Sequence, residues 1–262
     1  RHHLCHHQPT SHPILQLMKK KIVIQGKDLS IGYRTGKKEK IVHQHLDFTL
    51  HAGELTCLLG ANGAGKSTTI KSIAGILPFE EGEILIDGVS IKKDPVKCKK
   101  MIAYIPDNPD LYESLTGIDY LNFIADVYDI SSDKRMVIIN KYSELFGIKD
   151  VLNNYIGSYS HGMRQKLAIV SALVHEPKLL ILDEPFVGLD PLAAYSVKEM
   201  MREFCSNGGA IFFSTHVLEV AEKLCNKIAI IKEGKLVVTG LMDEVTKNAS
   251  LEDVFLELSH HE

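Results

Sequence analysis

The sequence predicts an α/β fold in which a mainly parallel sheet is preceded by a small β-rich segment and interrupted by a helical insertion. Three observations support this prediction. Short apolar runs and helical stretches alternate over residues 178–240, which is typical of parallel βαβ units. Residues 22–59 contain three short β-branched runs separated by turns. Residues 116–176 contain several helical stretches and no convincing strand.

The individual elements follow from local patterns. In chain order we predict strands over 22–24, 41–50 and 55–59, a helix over 67–74, a hairpin over 83–91 and a strand over 101–105. Thr116, with Asp119 three residues later, resembles a capping box that opens a helix reaching about residue 128. Further strands are predicted over 179–183, 210–214 and 228–231, with helices between them.

The composition is that of a folded globular chain. Its 262 residues are 45% hydrophobic and 24% charged, which suits one large domain or two small ones. The net charge of −3 gives no global field that would indicate a nucleic-acid partner. No apolar stretch reaches the about 18 residues of a membrane-spanning helix, and the five scattered cysteines form no C-x-x-C pair. We therefore expect a cytoplasmic protein with reduced thiols and no nucleic-acid partner.

The N-terminus differs from the rest of the chain. Five of the thirteen histidines lie in the first twelve residues, so we expect residues 1–17 to be an added, disordered leader and the folded domain to begin at residue 18. Metal binding by these histidines is the alternative. The polar run 34–40 is expected to be a solvated hairpin loop, with contact of its lysines to a membrane surface as the alternative.

A glycine-rich turn follows the predicted strand 55–59. Residues 60–67, Gly-Ala-Asn-Gly-Ala-Gly-Lys-Ser, match the pattern G-x-x-x-x-G-K-[ST] without a mismatch. Glycine lets successive N–H groups point at phosphate oxygens, and the following helix directs its positive dipole end to the same anion. We therefore predict a nucleotide-phosphate site formed by Gly60, Asn62, Gly63, Ala64, Gly65, Lys66, Ser67 and Thr68.

Four side chains are predicted to carry the chemistry of this site. Lys66 is expected to reach the β and γ phosphates, and the Ser67 hydroxyl to bind Mg²⁺, a hard ion that prefers oxygen ligands. An apolar run ends in Asp183 and Glu184, and open α/β sheets bind ligands at the carboxyl ends of their strands. We expect Asp183 to bind Mg²⁺, directly or indirectly, and Glu184 to orient and deprotonate the attacking water. Without Lys66, the same run would more simply be a buried strand entering a polar loop.

Three downstream motifs extend the pattern. Residues 158–165, Ser-Tyr-Ser-His-Gly-Met-Arg-Gln, resemble a signature sequence usually written LSGGQ. Residues 188–190, Gly-Leu-Asp, resemble a D-loop, and residues 214–216, Ser-Thr-His, place His216 at the position of a switch histidine. Tyr33 is similar in placement to an aromatic residue that stacks on adenine. Over residues 18 to about 246 the chain thus resembles the ATP-binding-cassette (ABC) ATPases.

This resemblance implies a fold and a shared active site. The implied fold is a P-loop NTPase core with a RecA-like mixed sheet, a small antiparallel β subdomain and a helical subdomain over about 111–162, all within one nucleotide-binding domain over 18–262. The implied assembly is two cassettes, identical or different, clamped head to tail around two ATP molecules. Each site would combine Lys66, Ser67, Asp183, Glu184 and His216 of one cassette with Ser160 and Gly162 of the other.

Two motifs depart from the family pattern. The family usually has glutamine after the strand equivalent to 101–105, where it approaches Mg²⁺, and Asp107 takes this position here; we expect it to supply an oxygen to the metal. In the signature, Tyr159, His161 and Met163 replace the usual Leu, Gly and Gln, and His161 is expected to point to solvent. These departures are similar to those in cassettes of ABC-2-type bacterial exporters.

The resemblance implies an ATP hydrolase that drives a separate transmembrane permease and lies peripherally on the inner face of the cell membrane. We expect the permease to dock near residues 107–114, with Leu111 and Tyr112 as contacts or, equally, as packing within the insertion. One alternative is a soluble cassette acting on ribosomes or DNA, which the single cassette and the absence of sustained heptads disfavour. The other is a module that has lost hydrolysis, which the presence of Glu184 and His216 disfavours.

Overall fold

The computed structural model describes residues 21–35, 38–75, 79 and 81–260, without the side chains of residues 32–45 and 260. The expectation for residues 1–17 therefore lies outside the described residues. Tyr33 is described only by its backbone, which pairs with that of Lys40, and its predicted stacking on adenine also falls outside this description.

The described elements agree with the predicted alternation. The strands are β1 (Ile22–Thr35), β2 (Lys38–His51), β3 (Leu55–Leu59), β4 (Glu83–Ile86), β5 (Val89–Ser90), β6 (Ile102–Ile105), β7 (Leu179–Leu182), β8 (Ala210–Thr215), β9 (Lys227–Lys232) and β10 (Lys235–Leu241). The helices are α1 (Lys66–Ile73), α2 (Pro95–Met101), α3 (Gly117–Val127), α4 (Ser132–Leu145), α5 (His161–Leu173), α6 (Pro191–Ser206), α7 (Leu218–Leu224), α8 (Met242–Val245) and α9 (Leu251–His260).

The larger sheet has the predicted parallel core. Its strand order is β10-β9-β3-β8-β7-β6, and every pairing is parallel except that of β9 with β10. The strand β10 is absent from the sequence prediction. It closes a hairpin whose turn residues, Glu233 and Gly234, both have positive φ, the conformation that suits a tight two-residue turn.

A second sheet, of order β2-β1-β4-β5, is wholly antiparallel and forms the predicted β subdomain. Its first hairpin is longer than predicted, because β1 continues to Thr35 and β2 begins at Lys38. The run predicted as a loop over 34–40 is thus mostly strand, with only residues 36 and 37 outside the described backbone.

The large sheet separates two apolar clusters because neighbouring residues of a strand point to opposite faces. On β7, Leu179 and Ile181 face α1 and the antiparallel sheet, whereas Leu180 and Leu182 face the helices α3 to α6. All four side chains are fully buried. Because both faces of β7 are buried, all of its residues are apolar. The first polar side chains, Asp183 and Glu184, follow directly after its last residue.

The chain between β6 and β7 is helical, as predicted. The helix α3 begins at the predicted cap, where the Thr116 hydroxyl accepts from the Asp119 N–H at 3.2 Å. An isolated backbone bridge joins Thr116 to Tyr155, just ahead of the chain leading into α5. In the part of the chain that the structure describes, no helix combines the length and apolar character needed to cross a bilayer.

Candidate functional site

The predicted phosphate loop connects β3 to α1 and lies at the carboxyl edge of the large sheet. The N–H of Gly60 donates to the carbonyl of Thr215 at the end of β8, at 3.2 Å. A Cβ on Gly60 would lie 2.8 Å from the Ile231 carbonyl oxygen, so the loop passes too close to β9 for any other residue. Gly63 and Gly65 have φ of 83° and 95°, a left-handed conformation that favours glycine.

The Lys66 ammonium lies at the centre of this loop. Its side chain is 6% exposed, and Nζ donates to the carbonyl of Gly60 at 2.6 Å and to Glu184 Oε1 at 2.8 Å. The same Glu184 oxygen is 3.0 Å from Nδ1 of His216. These contacts bring together the ends of β3, β7 and β8, and with them the three residues predicted to be catalytic.

Asp183 and Ser67 form a second, adjoining contact. The Ser67 hydroxyl donates to Asp183 Oδ2 at 2.8 Å, as expected if both approach one metal ion. The other Asp183 oxygen accepts from the Ser214 hydroxyl at 2.6 Å, and that hydroxyl accepts from the Glu184 N–H at 2.9 Å. Ser214 was not among the predicted site residues, although its position at the end of β8 was a usable signal.

The helix α5 begins at the predicted signature sequence. Ser160 is its N-cap, and the hydroxyl accepts from the Met163 N–H at 3.2 Å. The N–H groups of His161 and Gly162 lie in the first turn, where a helix offers them no internal acceptor. In the described residues, neither Ser160 nor Gly162 makes a hydrogen bond to Lys66, Asp183 or Glu184. The signature therefore donates no hydrogen bond to these three side chains of its own chain among the described residues.

The unusual signature residues have structural roles. Tyr159 is 5% exposed, and its hydroxyl donates to the Val151 carbonyl at 2.6 Å, within the helical insertion. His161 is exposed, as expected, but its Nε2 also lies 3.2 Å from the Val187 carbonyl oxygen. A Cβ on Gly188 would lie 2.7 Å from the His161 ring, so glycine permits this contact between the signature and the D-loop. Asp190 caps α6 by accepting from the Ala193 N–H.

Asp107 lies just beyond β6, beside the end of β7. Its side chain is exposed and makes no hydrogen bond to another described residue. Burial, and after it the charges of Asp183 and Asp107, raise the pKa of the neighbouring Tyr104 hydroxyl well above its usual range. That hydroxyl is buried without a hydrogen-bond partner among the described residues. Asp107 is therefore near the acidic edge but outside the Lys66 and Asp183 contacts.

Comparison with known proteins identifies the family. A family model described as "ABC transporter" matches residues 43–187, more than half of the chain. The ABC-type transporter ATP-binding protein EcsA of Bacillus subtilis (strain 168) is 36% identical over 238 residues, which are 89% of this chain and 95% of EcsA. The chain belongs to the ABC transporter family. Its activity is that of the ATP-binding subunits of this family, which bind and hydrolyse ATP.

Two further ABC proteins extend the comparison. The linearmycin resistance ATP-binding protein LnrL of Bacillus subtilis (strain 168) is 34% identical over 218 residues, covering 83% of this chain and 69% of LnrL. A solved structure described as the ATP binding subunit of an ABC transporter is 36% identical, with a TM-score of 0.84, covering 90% of this chain and 99% of that one. The α/β cassette fold with its antiparallel subdomain is thus confirmed.

The site of this ABC subunit has donors suited to Mg²⁺. The Ser67 hydroxyl and the Asp183 carboxylate supply hard oxygen ligands 2.8 Å apart, which suits a metal that also shares ligands with nucleotide phosphates. Within the described ranges, no group of three or more His, Cys, Asp or Glu side chains forms a metal cage. The Ser67 hydroxyl and the Asp183 carboxylate thus fit a metal that takes its remaining ligands from the nucleotide.

Proposed function

We propose that this chain is the ATP-hydrolysing subunit of a bacterial-type exporter and that each of its ATP sites is shared between two cassettes. The single observation that carries the proposal is the contact of Lys66 and His216 with one Glu184 oxygen, beside the Ser67 and Asp183 pair. Three strands deliver these groups to one sheet edge, which is where the phosphate loop presents its backbone.

Each residue of the first half-site has a proposed role. Backbone N–H groups of residues 60–68 hold the phosphates, and Lys66 neutralises charge on the β and γ phosphates. Glu184 orients the water and accepts its proton, while His216 holds that carboxylate and contacts the γ-phosphate. Tyr33 stacks on adenine, as the family resemblance implies.

The metal is proposed to be held at Ser67 and Asp183. These two side chains would hold Mg²⁺ through their oxygens, and the ion would supply positive charge against the negative charge of the phosphates. Ser214 donates to Asp183 and thereby fixes the orientation of this carboxylate. Asp107 is proposed as a weaker contributor at the same edge, because it is exposed and one methylene shorter than the usual glutamine.

The second half-site is proposed to come from the partner cassette. The Ser160 hydroxyl accepts a hydrogen bond within its own helix, and its proton remains available to donate to a phosphate. The free N–H groups at the start of α5 and the helix dipole favour the same anion. Because these groups make no hydrogen bond to Lys66, Asp183 or Glu184 among the described residues of their own chain, a second cassette supplies the simplest partner.

A cleft beside the site is the proposed docking place of the permease. It has a volume of about 710 Å³ and is lined by Tyr104, Leu111, Tyr120 and Ile124, among others. Of the two expected contacts, Leu111 is 6% exposed and belongs to the core, whereas Tyr112 is 58% exposed. Tyr112 also lies beside the exposed Phe123, with ring centroids 6.1 Å apart. We therefore assign the exposed part of the permease contact to Tyr112, whose ring centroid lies 6.1 Å from that of the cleft residue Tyr120, while the mostly buried Leu111 lines the cleft itself.

The domain arrangement and the location follow from the same proposal. Residues 18–262 would form one nucleotide-binding domain, with residues 111–162 as its helical subdomain and permease-docking part. The chain would then lie on the inner face of the membrane through its partner. The resistance function in the name of LnrL supports export as the direction of transport.

Phosphate release by the purified full chain tests the catalytic assignment. We expect Mg-dependent ATP hydrolysis, and a loss of at least about 100-fold in kcat on Glu184→Gln, since general-base catalysis contributes about 10²- to 10⁴-fold. The matched control is Glu219→Gln, because Glu219 is exposed, pairs with Lys223 and makes no hydrogen bond to Lys66, Glu184 or His216 among the described residues. Equal rates for Glu184→Gln and the control would overturn the proposed base.

A further inference from the structure

A dense group of lysines, outside the ATP site, precedes the strand β6. The lysine patch comprises Lys92, Lys93, Lys97, Lys99 and Lys100. With Asp94 as the only acid in this stretch, residues 92–100 carry a local charge of +4, although the whole chain has a net charge of −3. This is a local field of opposite sign to the rest of the molecule.

Three of these lysines lie on the short helix α2, and Lys92 and Lys93 directly precede its N-cap. Its inner side is anchored by Cys98, which is fully buried and whose thiol donates to the Val89 carbonyl at 3.4 Å. Asp94 is occupied as the N-cap, accepting from the Lys97 N–H at 3.2 Å. All five lysines are exposed, and Val96, on the same helix, is 63% exposed. The outer side of α2 is therefore both basic and partly apolar.

Most of the patch is not neutralised by the protein. Lys92 is partly occupied, since its Nζ lies 4.5 Å from the centre of the Phe79 ring. In contrast, no ion pair among the described residues includes Lys93, Lys97, Lys99 or Lys100. Other lysines of the chain are paired, such as Lys178 with Asp87 and Lys223 with Glu219. Four positive charges thus remain available to an external anion.

The patch lies beside the cleft proposed to receive the permease. Lys99 lines this cleft together with Gly75, Leu111 and Tyr120. If a permease enters the cleft from the membrane, α2 is at the membrane side of the chain. Anionic headgroups attract clustered lysines within about one Debye length of the bilayer, and an exposed apolar residue such as Val96 adds contact with the interface.

We propose that the lysine patch binds the anionic headgroups of the cytoplasmic membrane surface and orients the cassette beneath its permease. This inference rests on the proposed docking of a permease in the adjacent cleft. The recognition is electrostatic and does not depend on the nucleotide. It gives a single chain, without a membrane-spanning helix in its described part, a direct contact with the bilayer beside the one made through its partner.

Vesicle co-sedimentation of the full chain tests this proposal. The probes are phosphatidylcholine vesicles with and without 30% phosphatidylglycerol, at 150 mM salt and at pH 8, where imidazole side chains are generally neutral. The test variant is Lys93→Gln/Lys97→Gln/Lys100→Gln. The matched control, Lys27→Gln/Lys149→Gln/Lys247→Gln, removes the same charge from exposed positions elsewhere.

We expect the unchanged chain and the control variant to bind anionic vesicles and not neutral ones, with binding lost at 500 mM salt. The patch variant should bind anionic vesicles at least about tenfold more weakly, because each lysine near an anionic surface contributes appreciably. Equal binding by the patch variant and the control would overturn the proposal. Retention of a DNA duplex without retention of anionic vesicles would also overturn it, in favour of a nucleic-acid surface.

The same variants separate this proposal from the proposed function. None of the substituted lysines contacts the ATP site, so ATP hydrolysis by the patch variant should equal that of the control. Hydrolysis without vesicle binding would overturn the lipid contact alone. Vesicle binding without hydrolysis in the unchanged chain would leave the lipid contact standing and contradict the proposed function.

Discussion

The Lys66 ammonium lies 2.8 Å from a Glu184 carboxylate oxygen, with the two side chains only 6% and 13% exposed. The lysine proposed to bind phosphate and the carboxylate proposed to activate water are therefore paired with each other. Removing one partner of a buried ion pair leaves an uncompensated buried charge, which is strongly destabilising. An incoming phosphate must therefore replace the carboxylate as the partner of Lys66. Nucleotide binding would then also release Glu184 for its own role.

This pairing predicts that Glu184→Gln binds nucleotide more tightly than the unchanged chain. A neutral amide competes less well than a carboxylate for Lys66, so we expect the Kd for a non-hydrolysable ATP analogue to fall by about two- to tenfold. Isothermal titration in excess Mg²⁺ measures the effect, with Glu219→Gln as the control. Weaker binding by Glu184→Gln would mean that the carboxylate helps to hold the nucleotide instead of competing with it.

The phosphate loop predicts a difference between two glycines. In Gly60→Ala the new Cβ would lie 2.6 Å from Ile231 Cγ2 and 2.8 Å from the Ile231 carbonyl oxygen and must displace backbone, which puts the cost at the upper end of the overpacking range, about 3 kcal/mol. In Gly63→Ala nothing lies within 4 Å, and the cost is the left-handed φ of 83°, about 1 to 2 kcal/mol. The free energy of unfolding, measured in urea, should therefore be lower for Gly60→Ala than for Gly63→Ala. The reverse order would contradict the close approach of the loop to β9.

The two glycines show how much of the phosphate loop could be predicted from the sequence. The motif gave the loop and its neighbours, because phosphate binding needs defined residue types at fixed spacing. It could not reveal that Gly60 is required by the approach of β9, a strand about 170 residues later. In the same way, the apolar run ending in Asp183 was recognisable, but the contact of Ser214 with that carboxylate depends on the adjacency of β7 and β8.

Other differences also have physical causes. The edge strand β10 is half exposed, so it lacks the continuous apolar character by which the buried strands were predicted. His161 was expected only to face solvent, and its contact with Val187 depends on a D-loop 26 residues away. Leu111 and Tyr112 are adjacent in sequence, yet one packs in the core and the other faces outward. Sequence alone offered no basis for choosing between them.

The metal assignment predicts unequal effects of two acidic residues. Asp183 is 2% exposed and contacts Ser67, whereas Asp107 is exposed and makes no hydrogen bond to a described residue. We expect Asp183→Asn to raise the Mg²⁺ concentration for half-maximal hydrolysis by at least about tenfold, as for loss of a charged oxygen ligand. Asp107→Ala should raise it by less than this. Phosphate release measured over a range of Mg²⁺ concentrations distinguishes the two variants. A larger increase in the half-maximal Mg²⁺ concentration for Asp107→Ala would mean that Asp107, and not Asp183, is the main metal ligand.

A partly buried histidine predicts part of the acid sensitivity of the fold. His175 stacks on Tyr128 with ring centroids 3.9 Å apart, and its Nε2 lies 3.0 Å from the Ile102 carbonyl oxygen. Burial lowers the pKa of His175 below its usual range, against the opposing effect of that hydrogen bond. Its Nδ1 is buried without a partner among the described residues, so a proton there would have no acceptor.

The sign of the resulting pH effect follows from linkage. Below about pH 6.5 the unfolded chain binds a proton at this position that the folded chain resists, so stability falls as pH falls from there toward the lowered pKa. The free energy of unfolding, measured in urea at pH 7.5 and at pH 5.5, should fall less between these pH values for His175→Gln than for the unchanged chain. The difference should not exceed about 1.4 kcal/mol per pH unit. An equal or larger fall in the free energy of unfolding of His175→Gln would contradict the assignment of this acid sensitivity to His175.

Each ATP site is proposed to need Glu184 of one chain and the signature helix of another. This requirement predicts that two inactive variants restore activity when mixed. Glu184→Gln lacks the base, and Gly162→Asp places a negative charge at the tip of α5. A Cβ on Gly162 meets nothing closer than 4.0 Å, so this substitution should leave the fold intact.

Phosphate release by an equimolar mixture of these two variants, combined before ATP is added, tests this requirement most directly. In a mixed pair one site combines an intact Glu184 with an intact signature, so we expect each variant alone to be inactive and the mixture to recover up to about a quarter of the unmutated activity. A mixture no more active than its separate components, or full activity of Gly162→Asp alone, would contradict the shared site.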